Sequence, residues 1–265
     1  MKLLIFSDAL DPWSWGLEGI LRAIDFTYEN FSYEFIMTGL INNYEEFLPQ
    51  NFSQLNSVEL GNKILFDMYK ASSTITRFPH FEKIPHLFTE EYKSSFPLDK
   101  YYVTVRESFY EKSNLYMRKL KEYAILRDKN IFLMEVQREI LKELDIDFDD
   151  FIGEYEFIDE IFLEDRMKSF DYRVKMPPAF LVDGNKRLLK NFQTYEKLCE
   201  FLEGEGDLKK KDLKEGKELL FIKSYPNVLE SEFLILFKGE DLEKLISNGK
   251  VAREKIGNGN ILKIL

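Results

Sequence analysis

The chain has 265 residues, 45% hydrophobic and 15% aromatic, enough for one large domain, or one domain and a small appendage, around a packed core. Its net charge of −10 argues against a broad nucleic-acid surface, because phosphates would meet a repulsive average field. The single cysteine, Cys199, excludes an internal disulfide and any intramolecular dithiol chemistry.

Lys2 to Phe6 is a short apolar run ending in Ser7-Asp8 and reads as a buried strand. It is too short for a membrane span or the core of a signal peptide, so no membrane partner is expected and the expected location is the cytoplasm. A helix follows at once: Asp11 is a good N-cap, Pro12 sits at N1, where its missing N–H costs nothing, and Trp15, Leu17, Ile20, Leu21 and Ile24 form a helical stripe. Ser32 to Met37 alternates as a second strand, parallel to the first, which completes a βαβ unit.

From about residue 42 to 170 the pattern is that of a helical insertion. Its clearest element is Asn130 to Leu144, with Leu133, Val136, Ile140, Leu141 and Leu144 at helical spacing. Arg77 to Pro97, which contains both histidines, reads as loop, and Asp145 to Asp150 as a helix boundary. Ala179 to Val182 is a strand, Asp183-Gly184-Asn185 a hairpin turn, Arg187 to Lys190 the return, and Tyr195 to Leu202 the closing helix.

Residues 204–213 are rich in Gly and charge and read as a linker. From Leu208 onward there are 12 Lys/Arg against 9 Asp/Glu, or +3, so the remainder carries −13. That asymmetry, with helical segments near Lys214 to Ser224, Leu229 to Phe237 and Glu240 to Ser247 and a hairpin around Gly257-Asn258-Gly259, suggests a separate winged-helix-like unit over 214–265.

The segment Asp8-Ala9-Leu10-Asp11-Pro12-Trp13-Ser14-Trp15-Gly16 resembles the active-site block of DsbA-like proteins of the thioredoxin superfamily, Asp-x-x-Cys-Pro-Trp-Cys-Trp/Tyr-Gly, with both cysteines replaced. Met176-Pro177-Pro178-Ala179-Phe180 resembles the family's Val-Pro-Thr-Phe, which makes Pro178 the candidate cis-proline. The resemblance covers residues 1–203 and implies an α/β thioredoxin-like fold with a large helical insertion. It also implies a groove formed by Asp11, Pro12, Trp13, Ser14, Pro177 and Pro178. In active relatives a thiolate at the helix N-terminus attacks a disulfide and the second cysteine resolves it. Asp11 and Ser14 can do neither, so no catalytic residue of that kind is expected.

Cys199 lies in an apolar helical stripe and reads as core. His80 and His86 are six apart and match no common zinc spacing, so no metal or other cofactor is expected. Trp15 should pack beneath the helix and Trp13 should be partly exposed.

Three functions follow. The first is a non-catalytic recognition protein whose groove beside the cis-proline takes a protein or peptide partner through backbone N–H and C=O groups. The order of parts resembles the cytoplasmic adaptors that present Spx to the Clp protease, with Phe221 to Leu265 as their C-terminal region. The second is a glutathione-dependent transferase or isomerase, because kappa-class transferases and hydroxychromene carboxylate isomerases read Ser-Pro-Tyr-Ser-Trp at this place. There an ionised Asp11 would repel the glutathione thiolate, which disfavours glutathione. The third, DNA binding, is disfavoured because the candidate reading helices carry Glu230, Glu232, Glu240, Asp241 and Glu243.

Overall fold

Strand β1 (Lys2–Ser7) alternates between two faces, and its residues feed two different cores: Leu3 and Ile5 face the main one, Leu4 and Phe6 a smaller one on the far side. It pairs in parallel with β2 (Ser32–Met37), from Lys2 opposite Ser32 to Ser7 opposite Met37. It pairs antiparallel with β3 (Ala179–Val182), which in turn pairs with β4 (Leu188–Lys190). The sheet order is β2-β1-β3-β4. The computed structural model describes residues 1–48 and 57–265.

Helix α1 (Pro12–Thr27) is the crossover between β1 and β2 and is buried along nearly its whole length. A helix with 13 buried residues out of 16 is wrapped on several sides, and the elements that wrap it are α2 (Ser57–Thr76), α8 (Tyr195–Glu205) and the C-terminal residues. The predicted alternation of β2 fails at its end, where Phe35, Ile36 and Met37 are all buried, because that half lies under elements on both faces.

The insertion is helical as expected, with a 3-10 turn at Tyr44–Phe47 and helices α2, α3 (Phe96–Ser108), α4 (Ser113–Lys121), α5 (Met134–Glu143), α6 (Phe148–Tyr155) and α7 (Asp159–Asp171). Residues 49–56 of the expected insertion lie outside the described residues. Within Asp145 to Asp150, Asp147 caps α6 by accepting from the N–H groups of Asp149 and Asp150.

After α8 the stretch read as a linker runs along the end of α1. Glu29 N–H donates to the Lys209 carbonyl, Lys211 N–H to that of Thr27, and Asn30 holds Asp207 and Lys209 through its side chain. Three helices follow, α9 (Lys217–Ser224), α10 (Glu230–Leu236) and α11 (Gly239–Ser247), then the hairpin β5 (Val251–Ile256) and β6 (Gly259–Ile264). Their apolar cluster includes Phe26 of α1, whose ring meets Phe221 edge-on at 5.2 Å.

Glu232 ties these helices to the rest. Fully buried at the start of α10, it accepts from Arg22 of α1, from Arg118 of α4 at 2.8 Å, and from the Leu229 N–H at 2.7 Å. Three elements distant in sequence therefore share one carboxylate.

Candidate functional site

At the start of α1 the Asp11 side chain accepts from the Trp13 N–H at 3.0 Å, so the expected cap is present. Its other oxygen accepts from the Ser14 hydroxyl, and Ser14 in turn lies 2.5 Å from the hydroxyl of Ser7. Asp11 is 1% exposed and Ser14 is fully buried. The two residues standing in the cysteine positions are thus bonded to each other beneath the surface, and neither faces solvent as a nucleophile.

A layer of acids lies below them. Asp8 accepts from Leu10 and Leu40 N–H groups at 2.8 Å each and from the Ser95 hydroxyl at 2.6 Å. Asp99, from α3, accepts from Ala9 N–H at 2.8 Å and Gly39 N–H at 3.1 Å. These bonds clamp both loops that follow β1 and β2. Desolvation and the adjacent Asp8 carboxyl hold Asp99 well above the usual carboxylate range. Burial likewise raises Asp11, against the pull of Lys121 and the bonds from Ser14 and Trp13. A helix N-terminus favours the ionised form of Asp11, but loss of water outweighs it. The acids are not arranged with others to hold a metal ion among the described residues.

Trp15 is buried, its Nε1 donating to the Pro79 carbonyl at 2.6 Å and its ring lying under the Arg118 guanidinium at 4.6 Å. Trp13 is half-buried and leans on Phe192, with ring centroids 5.9 Å apart. Together with Ile75, Met176, Pro177, Pro178 and Asn191 these two rings line a shallow groove of about 380 Å³. Ile75 and Met176 are among the exposed large hydrophobic residues, at 62% and 69%. The bond between Pro177 and Pro178 is cis. Of the six residues expected to form the site, Trp13, Pro177 and Pro178 line this groove, Pro12 lines an apolar pocket next to it, and Asp11 and Ser14 lie beneath.

One expectation changes on chemical grounds. A groove beside the cis-proline was expected to offer backbone N–H and C=O groups, but the residue before Pro178 is itself a proline and has no N–H. The Pro177-Pro178 pair therefore offers acceptors only.

Sequence reasoning missed Asp99, Lys121 and Phe192. Phe192 follows the β3–β4 hairpin with no pattern to mark it, and Asp99 sits on a helix whose contact with residues 8–9 depends on tertiary packing. Lys121 is buried, its ammonium without a hydrogen bond among the described residues but over the Phe35 ring at 5.8 Å, and its pKa is lowered by desolvation. Cys199 is buried, and burial raises its thiol. His80 donates from Nδ1 to the Phe81 carbonyl at 2.6 Å, and His86 is exposed on the loop.

No protein-family profile and no curated protein matches the chain by sequence. Solved structures do. The cytosolic disulfide reductase DsbM from Pseudomonas aeruginosa superposes with a TM-score of 0.59 at 15% identity, over 77% of this chain and 98% of that one. A protein from Nitrosomonas europaea assigned as a protein disulfide isomerase gives 0.62 at 14% identity, over 77% and 96%. The chain has the fold of DsbA-like thioredoxin proteins. A 2-hydroxychromene-2-carboxylate isomerase shares this thioredoxin-like fold too, with a TM-score of 0.51 at 13% identity over 78% and 95%. DsbM has also been solved with GSH. The thioredoxin-like chain described here has one cysteine, so the pair that would exchange disulfides is absent. Among the described residues no helix is long and apolar enough to cross a membrane.

Proposed function

We propose that this is a non-redox thioredoxin-fold recognition protein, which holds an apolar segment of a protein partner in the groove between Trp13, Met176, Pro178 and Phe192. The observation that carries the reading is the contrast at the start of α1. The former cysteine positions are sealed by Asp11 and Ser14, while the surface beside them is open and apolar. An exposed Met and a half-buried Trp suit such recognition, since both give large contact area. An acceptor-only Pro177-Pro178 pair shifts affinity from strand pairing to side-chain burial. The added helices and hairpin after residue 213, in the order of a winged helix, supply a second surface, as an adaptor requires. About a quarter of this chain falls outside the match to DsbM, whose own length is nearly all spanned. A cytoplasmic location fits a protein of this fold without its disulfide chemistry.

The test is an array of apolar peptides probed with the full chain. Binding that falls at least tenfold in Trp13→Ala supports the reading, and no peptide binding, or binding indifferent to Trp13 and Phe192, overturns it. The purified chain should also show no insulin-reducing activity.

A second reading, a glutathione-dependent isomerase or transferase, is favoured by the isomerase and glutathione-bound neighbours. The ground for setting glutathione aside was an ionised Asp11, and burial raises that carboxyl instead. Saturable glutathione binding that strengthens in Asp11→Ser would support this second reading over the first.

A further inference from the structure

Next to the Trp13 groove, the turn after β2 forms one wall of a hollow of about 290 Å³, and the end of α7 forms the other. Among the described residues two cations line it, Arg166 and Lys175, and no acid does. Among the described residues neither has a carboxylate partner. The Arg166 guanidinium lies over the ring of Phe96 at 4.5 Å and against Gly39, whose left-handed φ of 60° and close approach to Arg166 leave no room for a Cβ. The Thr38 hydroxyl is buried here without a hydrogen-bond partner. The Gly39 and Leu40 N–H groups turn inward to Asp99 and Asp8, so the donors facing the hollow are side chains. In a chain of net charge −10, two unpaired cations and an idle hydroxyl at one place select an anion.

Leu40 and Lys175 also line the neighbouring pocket of about 260 Å³, whose other walls include Pro12, Tyr44, Leu65 and Met68. Among the described residues that pocket has no charged lining residue apart from Lys175, which stands at the junction. A cationic hollow opening into an apolar one matches a ligand with one charged end.

We propose that the two hollows hold one amphipathic carboxylate. Its head lies between Arg166, Lys175 and Thr38, and its medium-length alkyl chain passes Leu40 into the pocket under Pro12 and Tyr44. The site rests on the recognition reading only in placing ligands on this face of the fold; it shares Met176 and Pro177 with the groove but not the Trp13 and Phe192 rings.

The experiment is calorimetric titration of the full chain with decanoate, with decanol and acetate as partial ligands. Saturable decanoate binding, at least about tenfold tighter than either partial ligand and weakened about tenfold by Lys175→Gln and by Arg166→Gln, is the expected result. Lys175 is exposed, so its variant should fold normally, and circular dichroism checks both variants. Equal binding of decanol would show that the cations take no part and would overturn the proposal, as would decanoate binding that neither variant changes, or none at millimolar concentration. The titration uses no peptide, so this proposal and the recognition reading fail separately.

Discussion

Helix α1 meets buried carboxylates at both its start and its middle: Glu232 of α10 is balanced by cations, whereas Asp11 and Asp99 at the start, like Glu18 within the helix itself, are raised by burial. Around its middle, Glu232 is met by two guanidinium groups, those of Arg22 and Arg118, and by a backbone N–H. Around its start, Asp8, Asp11 and Asp99 meet mainly hydrogen-bond donors and one another, and the nearby Lys121 makes no direct bond to any of them. There burial favours the protonated form and raises the Asp99 and Asp11 carboxyls above the usual carboxylate range. The difference teaches that buried carboxylates around one helix can be balanced by cations or by a raised proton affinity, and the second balance ties stability to pH above the usual carboxylate range.

The largest effect is expected where the cations do the balancing. Glu232→Ala leaves Arg22 and Arg118 buried without their shared partner, and the expected loss is about 3–5 kcal/mol in urea unfolding. A loss under about 1 kcal/mol would break the comparison, because it would mean that the triad contributes little to docking α10 on α1.

The proton-balanced end should show itself in pH. A carboxyl raised in the folded state contributes stability that is complete below its unfolded value, about 4, and is lost as pH rises through its folded value. The wild type should therefore melt at a lower temperature at pH 7.5 than at pH 5.5. Asp99→Asn should flatten that dependence, whatever it does to the melting temperature itself, and an unchanged slope would assign the pH response elsewhere.

Smaller effects sharpen the picture. Asp11→Ala removes the cap of α1 and the acceptor for Ser14, with an expected cost of about 1–2 kcal/mol by chemical denaturation. Trp13→Ala, on a half-buried surface residue, should cost no more than about 1 kcal/mol while still weakening peptide binding at least tenfold. If instead Trp13→Ala destabilised the chain as much as Glu232→Ala, the groove would be part of the core rather than a recognition surface.

Much of this was legible in the sequence, where local chemistry decides structure. The apolar runs Lys2 to Phe6 and Ala179 to Val182, the Asp11-Pro12 start of α1 and the Gly184 turn all appear where their residues place them. The roles of Trp13 and Trp15 could also be told apart from their positions in the first turn. What could not be read were the polar contacts made across the chain. Glu232 looked like one more surface acid arguing against DNA binding, and nothing local distinguishes it from Glu230, which stays near the surface with Arg253. Asp99 is 90 residues from Ala9, whose N–H it accepts, and a single sequence carries no trace of such a pairing. Burial likewise reversed the direction expected for Asp11, because the helix terminus is visible in sequence and the loss of water around it is not.

The place of Phe26 has a practical consequence. This residue belongs to α1, yet its ring lies within the aromatic cluster of Phe221, Phe233 and Phe237. A truncation at residue 207 would strip that ring of its neighbours and remove Glu232 from both arginines in the same cut. A shortened protein that failed to capture a partner would then report a damaged crossover helix rather than a missing contact surface. Dissection of this chain is better done by point substitutions on the outside of α11 and the hairpin, which leave the shared aromatic cluster whole.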